Sequence, residues 1–233
     1  MYKTVTLTFA FFVAAVAGLP AAKRGLLDQY THYQGDGSAS AGWPSKDSWA
    51  SWDDLWTANS ELMKQSCSWN GWGINDSADE IDSIKSAIQQ VSSETGIDNR
   101  FILAIMMQES KGCVRVPTTN NGVVNPGLMQ SHNGAGTCAN ASPCASSDIT
   151  RMISDGAAGT SSGDGLKQLL AKASGNTAGA DDVRTFYAAA RLYNSGSADY
   201  AQLGNGLGST SCYASDIANR LTGWTLATTS CSI

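Results

Sequence analysis

The 233-residue sequence is short of charge: 15 % of its residues are Asp, Glu, Lys or Arg, against about 25 % in an average soluble chain. Only five prolines interrupt it, and 42 % of the residues are hydrophobic. That balance excludes a disordered chain, which lacks the apolar surface needed to offset lost conformational entropy. Bases are fewer than acids, 15 against 20, for a net charge of −5; nucleic acid is disfavoured as a partner, because neutralising phosphates takes clustered Lys and Arg. There is no Cys-x-x-Cys pair and only two histidines, His32 and His132, so neither a metal site nor any other cofactor is expected. The shortage of histidine also disfavours serine-hydrolase chemistry. Long apolar runs are missing beyond the N-terminus, and the run found there is shorter than the roughly 20 residues that span a bilayer. No period-2 strand pattern and no repeat of fixed length appears.

What is present begins with an address. Lys3 precedes an apolar stretch over residues 5–16, and Ala15-Val16-Ala17 has the small-x-small form of a signal-peptidase site. Residues 1–17 are therefore expected to be a signal peptide. Residues 18–24 follow as a propeptide ending at Lys23-Arg24, with maturation at Gly25. Removing residues 1–24 takes away three bases and no acids, moving the charge from −5 to −8. The expectation is a secreted, extracellular monomer with no membrane contact after processing. Cys67, Cys113, Cys138, Cys144, Cys212 and Cys231 fit that destination, since an even count in an oxidising compartment implies disulfides. Cys138 and Cys144 are near enough in sequence to clip a loop; the other pairings stay open. Asn75-Asp76-Ser77 and Asn140-Ala141-Ser142 have the form of glycosylation acceptors.

Residues 25–77 are expected to form an N-terminal arm and a Trp-rich helix, and residues 78–233 a catalytic domain. The arm, residues 29–45, is rich in Gly, Ser and Ala and is expected to be extended or mobile. Trp49, Trp52, Trp56 and Met63 are spaced to share one face of a helix over residues 48–65. Trp43, Trp69 and Trp72 lie in Gly- and Ser-rich sequence and are candidates for saccharide contact. Ser77-Ala78-Asp79-Glu80 has the capping-box form, and Ile81, Ile84, Ile88 and Val91 follow at helical spacing until Thr95-Gly96. Asp98 can cap the next helix, whose residues 101–107 are apolar without a break; such a helix belongs at the centre of a fold. A long Asn- and Gly-rich segment, residues 118–147, then suggests a binding wall. Helices are expected over 149–153, 166–173, 182–193 and 213–221, with Asp155-Gly156 among the turns between them. The fold class is mainly α.

Glu109 follows the apolar run directly and sits near a helix C-terminus. Desolvation and the negative end of the helix dipole both disfavour its ionised form and push its pKa upward. A carboxylic acid that keeps its proton near neutral pH can protonate a glycosidic oxygen.

Three segments, Ile105-Met106-Met107-Gln108-Glu109-Ser110, Gly127-Leu128-Met129-Gln130 and Ala190-Arg191-Leu192-Tyr193-Asn194-Ser195-Gly196, resemble in order and approximate spacing the Glu-Ser, Gly-Leu-Met-Gln and Tyr-Asn-x-Gly motifs of soluble lytic transglycosylases. These share glycoside hydrolase family 23 with goose-type lysozymes, and the likeness, over about residues 78–224, is to secreted fungal members. The resemblance implies a lysozyme-like α-helical domain with a buried central helix and disulfide-braced loops, and no cofactor. It implies that Glu109 is the general acid and base, that Gln130 hydrogen-bonds the saccharide, and that Tyr193 orients Glu109 and the substrate's N-acetyl group. Asn194 would shape the turn beneath, and Met129 would pack against a sugar face or the core. Where family members carry a Ser and a Gly-Ala pair before Gly-Leu-Met-Gln, this chain has residues 120–126, and Asn121 or Asn125 would take over the Ser contact. The partner would be peptidoglycan, with chitin-type polysaccharide as the alternative substrate and non-catalytic carbohydrate binding as the alternative role. Inversion needs a second carboxylate. No acid occurs between Lys111 and Ser147, leaving Asp148, Asp155, Asp164, Asp181 and Asp182 as candidates.

Overall fold

A computed structural model describes residues 26–179 and 182–232; the proposed signal peptide, propeptide, Lys23-Arg24, Gly25 and Asp181 lie outside them. The described residues form seven α-helices: α1 (Trp52–Trp69), α2 (Ala78–Thr95), α3 (Asn99–Ser110), α4 (Ser146–Ala158), α5 (Leu166–Ser174), α6 (Val183–Ser195) and α7 (Tyr213–Thr222). Among the described residues the only strands are a two-residue antiparallel pair, β1 (Thr119–Asn120) and β2 (Val124–Asn125). The expected mainly α class is observed. Among the described residues no helix is long and apolar enough to cross a membrane.

Helix α3 is the axis of the molecule. All seven residues from Phe101 to Met107 are buried, and α1, α2, α4 and α7 pack around them. Its start is fixed locally, with Asp98 Oδ1 accepting from Arg100 N at 3.0 Å. Helix α2 starts in the same self-contained way: Ser77 Oγ accepts from Glu80 N at 3.2 Å and Ser77 N donates to Glu80 Oε2 at 2.7 Å, so two otherwise unpaired backbone amide positions are satisfied reciprocally. The expected stripe Ile81, Ile84, Ile88 and Val91 is buried.

Three expectations need correction. Helix α1 starts at Trp52, because Ser51 Oγ caps it by accepting from Asp54 N at 3.2 Å; Trp49 therefore lies outside the stripe. Its indole donates to Tyr187 Oη at 3.0 Å and meets Phe186 edge-on. The arm is docked along its length: Thr31 N donates to Asn219 Oδ1 at 2.8 Å, Tyr33 N to Ser215 Oγ at 3.0 Å, and Trp43 is buried between Tyr33 and Tyr187. That burial removes Trp43 from the candidates for saccharide contact. Finally, Asp155-Gly156 is no turn, since α4 runs through it. A Cβ at Gly156 would come within 2.5 Å of Met129 Cβ and 2.8 Å of Tyr193 Oη. The glycine serves close packing inside the helix, and composition alone mistook it for a break.

Three disulfides join Cys67 to Cys113, Cys138 to Cys144 and Cys212 to Cys231. The second is the expected local clip. The first ties the end of α1 to the chain just beyond α3, and the third ties the start of α7 to the C-terminal segment. Cross-links of this kind restrict the unfolded ensemble, and each anchors an irregular segment, after α3, before α4 or after α7.

Candidate functional site

Glu109 stands in the last turn of α3, half-buried. The hydroxyl of Tyr213, first residue of α7, donates a short hydrogen bond to Glu109 Oε1. Burial pushes the Glu109 carboxyl up to about 7, against the Tyr213 hydrogen bond and the Lys111 charge, which pull it down. Desolvation is thus the dominant cause, as the apolar run before Glu109 implies. Burial, followed by the charge of Glu109, raises both the Tyr213 and Tyr193 hydroxyls far above the usual phenol range, so both remain hydrogen-bond donors.

Tyr193 does not hold Glu109 by a hydrogen bond. Its hydroxyl donates to the Met129 carbonyl at 2.7 Å, a bond made possible by Gly156 beneath it, and the direct contact to Glu109 falls to Tyr213 instead. Met129 is fully buried and packs in the core rather than against a sugar face. The loop that carries it turns at Gly127, whose φ of 73° and whose approach to Gly136 O and Met152 Cγ, each 2.6 Å from a would-be Cβ, admit no larger residue. Gln130 has φ 45°. Its amide nitrogen donates to Pro117 O at 3.2 Å and Gly127 O at 3.1 Å, and its Oε1 accepts from Thr119 Oγ1 at 2.9 Å. Asn194 Oδ1 accepts from the buried Arg191 guanidinium within α6, and the same guanidinium donates to Thr210 O at 2.8 Å, tying the segment before α7 to α6.

Gln130, Tyr193 and Asn194 line one groove of about 810 Å³, together with Asn121 and Asn125 beside the β-pair, and His132. These residues come from segments more than 60 positions apart in the chain. Glu109 does not line this groove itself; Tyr193 is the residue that belongs to the groove and also feels the Glu109 charge. A larger depression of about 1070 Å³, bordered by Lys46, Trp52, Arg100 and Phe186, contains none of these residues. Trp69 is 55 % exposed and Trp72 half-buried, and neither lines either depression.

Of the candidate second carboxylates, Asp155 accepts from Ala135 N at 2.8 Å and Gly136 N at 2.9 Å, bracing the loop. Asp182 caps α6 and pairs with Arg184 at 2.9 Å. Asp148 is exposed in the first turn of α4. Asp164 alone lines the groove, paired to Lys172. None of these four hydrogen-bonds Glu109 or Tyr213. Sequence reasoning misses Tyr213, which lies 104 residues from Glu109 and carries no local signal beyond its place at a helix start after Cys212. It also overlooks Gly159-Thr160-Ser161-Ser162-Gly163, which has the Gly-x-Ser-x-Gly form of a serine-hydrolase nucleophile turn. The required strand-turn-helix setting is absent there: the segment links α4 to α5, and no hydrogen bond joins Ser161 to His132 among the described residues.

Comparison with family models, with curated proteins and with solved structures returned no match.

Proposed function

We propose that the chain is a secreted muramidase, with a lysozyme-like catalytic domain, that cleaves the β-1,4 bond between N-acetylmuramic acid and N-acetylglucosamine in peptidoglycan. The observation that carries this reading is the Glu109 carboxyl: raised to about 7 by burial, hydrogen-bonded by Tyr213, and acting by its charge on Tyr193, which lines a polar groove with Gln130 and Asn194. A proton retained near neutral pH can be delivered to the glycosidic oxygen as the bond to the anomeric carbon breaks. Glu109, then ionised, can take a proton from the incoming nucleophile. Asp155 and Asp182 are occupied by other partners and Asp164 is paired to Lys172; in this reading Glu109 serves in both steps, and the nucleophile is either water or the C6 hydroxyl of the same sugar. The first gives a reducing end and the second a 1,6-anhydro end. Three disulfides and the N-terminal apolar segment support extracellular action.

The test is peptidoglycan digestion by the mature protein, read by turbidity and by mass spectrometry, in which the two product types differ by one water. Glu109→Gln should lower the rate by roughly 10²–10⁴-fold with the thermal midpoint preserved; undiminished clearing by that variant ends the assignment. Turnover of chito-oligosaccharides but not peptidoglycan would move the substrate to chitin, and binding without turnover would make the protein a carbohydrate-binding module.

A further inference from the structure

Arg191 of α6 is fully buried, and among the described residues it forms no salt bridge. Taking a guanidinium out of water without an opposite charge is costly unless its donors all find acceptors. Here every nitrogen does. Nε donates to Ser195 Oγ at 3.2 Å, Nη2 to Asn194 Oδ1, and Nη1 to the Thr210 carbonyl at 2.8 Å and the Ser211 carbonyl at 3.5 Å. The first two acceptors belong to the last turn of α6, which also carries the groove residue Tyr193. The other two lie in the segment that leads into α7.

That segment has few other anchors. Helices α1, α2, α3 and α6 each start on a side chain that accepts from the backbone, whereas Cys212, at the start of α7, makes no such bond. The first turn is fixed instead through the Thr210 carbonyl, which accepts from the Tyr213 amide at 3.2 Å as well as from Arg191, and through the Cys212–Cys231 disulfide. The guanidinium carbon also lies 6.0 Å from the centre of the Tyr213 ring, at the outer limit of a cation–π contact. A cation gains nothing from the positive end of a helix dipole, so the stability of α7 does not account for this charge. What the contacts do fix is the place of one hydroxyl, because Tyr213 is the residue that donates to Glu109 Oε1.

We propose that Arg191 is a positioning residue: its guanidinium clamps the end of α6 to the Thr210 and Ser211 carbonyls and so sets the Tyr213 hydroxyl against the Glu109 carboxyl, keeping the acid and the groove wall in register. The proposal rests on Glu109 being the acid of the reading above. It assigns the upkeep of that geometry to a residue that neither bonds Glu109 nor lines the groove. Lysine cannot take its place, since a planar fork reaches acceptors on two segments at once and a single ammonium does not.

The experiment labels the mature chain with ¹³C at the tyrosine Cζ, whose NMR signal reports what the phenol hydroxyl bonds; the Tyr213 signal is assigned by its loss in Tyr213→Phe. In Arg191→Lys, which keeps the charge and breaks the fork, that signal should move towards the position of a phenol with no carboxylate partner. The kcat on peptidoglycan should fall by roughly tenfold, to the level of Tyr213→Phe. In the Tyr213→Phe background Arg191→Lys should cost no more than about twofold further, because the contact it serves is already gone. A residue that only supports the fold would lower the thermal midpoint, leave the Tyr213 signal in place and multiply its loss with that of Tyr213→Phe. An unmoved signal, or losses that multiply, overturns the proposal. Where Arg191→Lys does not fold, the native chain decides: guanidinium protons of Arg191 that exchange slowly and cross-relax with the Tyr213 ring are expected, and a guanidinium exchanging freely with solvent overturns the clamp. The Tyr213 signal needs no turnover. One that follows Arg191 in a protein inert towards every glycan would therefore defeat the muramidase reading and leave the clamp standing.

Discussion

Glu80 and Glu109 are the same side chain, both taken out of bulk water within one fold, and they end in opposite protonation regimes. Burial raises both. At Glu80 that penalty is overcome by Arg115, whose Nη2 donates at 2.5 Å, and by the Ser77 and Cys144 backbone amides, each donating at 2.7 Å, so its carboxyl falls below the usual range. At Glu109 the counterweights are one phenol hydroxyl and an ammonium out of hydrogen-bond reach, and the carboxyl rises to about 7. A carboxylate with three strong donors is a staple. One with a single phenol donor is a group whose proton can be used.

Glu80 holds the start of α2, the Cys138–Cys144 clip and Arg115 together. Its neighbour Asp76 receives Arg115 Nη1 at 3.3 Å and Val114 N at 3.2 Å. Glu80→Ala would leave the Arg115 charge with Asp76 alone, at 3.3 Å, and unpair the Ser77 and Cys144 backbone amides, the second of them buried. The expected loss is about 3–5 kcal/mol, the range for breaking a buried ion pair, measured by denaturant unfolding. Glu109→Gln in the same assay should be neutral or stabilising, because an acid whose ionised form is disfavoured by desolvation is replaced by an uncharged group of similar shape. Equal losses at the two positions would erase the distinction between staple and site.

Tyr213 sharpens the comparison from the other side. Tyr213→Phe removes the only side-chain hydrogen bond that Glu109 receives among the described residues, leaving the carboxyl less well placed and still harder to ionise. The expected cost is roughly tenfold in rate, about 1.4 kcal/mol in transition-state terms, with the alkaline limb moved upward. Tyr193→Phe loses instead a bond to the Met129 carbonyl, and should loosen the groove wall without moving that limb. A limb that follows Tyr193 rather than Tyr213 would return the orienting role to the residue the motif resemblance named.

The legible parts of this molecule share a property: their physics is local. The Ser77 and Glu80 box, the Asp98 cap, the unbroken apolar run before Glu109 and the six-residue Cys138–Cys144 loop are all decided within a few positions of chain. The apolar run before Glu109 signals its desolvation for the same reason, although the hydroxyls set near it come from α6 and α7. What was not legible is decided at a distance. Trp49 follows α6 instead of the helix whose spacing it matches, Gly156 answers to Met129 and Tyr193, and Tyr213 reaches Glu109 only because α7 packs on α3. The docking of the arm depends on Asn219 and Ser215, far along the chain, and its Gly-Ser composition reads as mobility when no partner is in view.

Asp76 offers the finest cut through the comparison, because it sits inside the staple yet behaves like the site. Burial raises it to about 7; the Glu80 charge adds to this, while the Val114 amide and Arg115 only partly oppose it. Its unfolded value is 3.8, so across the window from about 4 to about 7 the folded chain binds a proton that the unfolded chain releases. Stability from this residue therefore falls as pH rises through that window. Glu109 and Asp216, also raised, contribute with the same sign. Glu80 and Asp98, lowered, lose their contribution only when the medium is acidified below the ordinary carboxylate range. Asp76→Asn keeps the shape and removes the titration, so it should narrow the gap between the thermal midpoints at pH 5 and pH 7.5 by roughly 2–4 °C for each kcal/mol recovered at the higher pH. A gap of unchanged width would mean that Arg115 holds Asp76 ionised throughout, and that the whole cluster, not Glu80 alone, works as a staple.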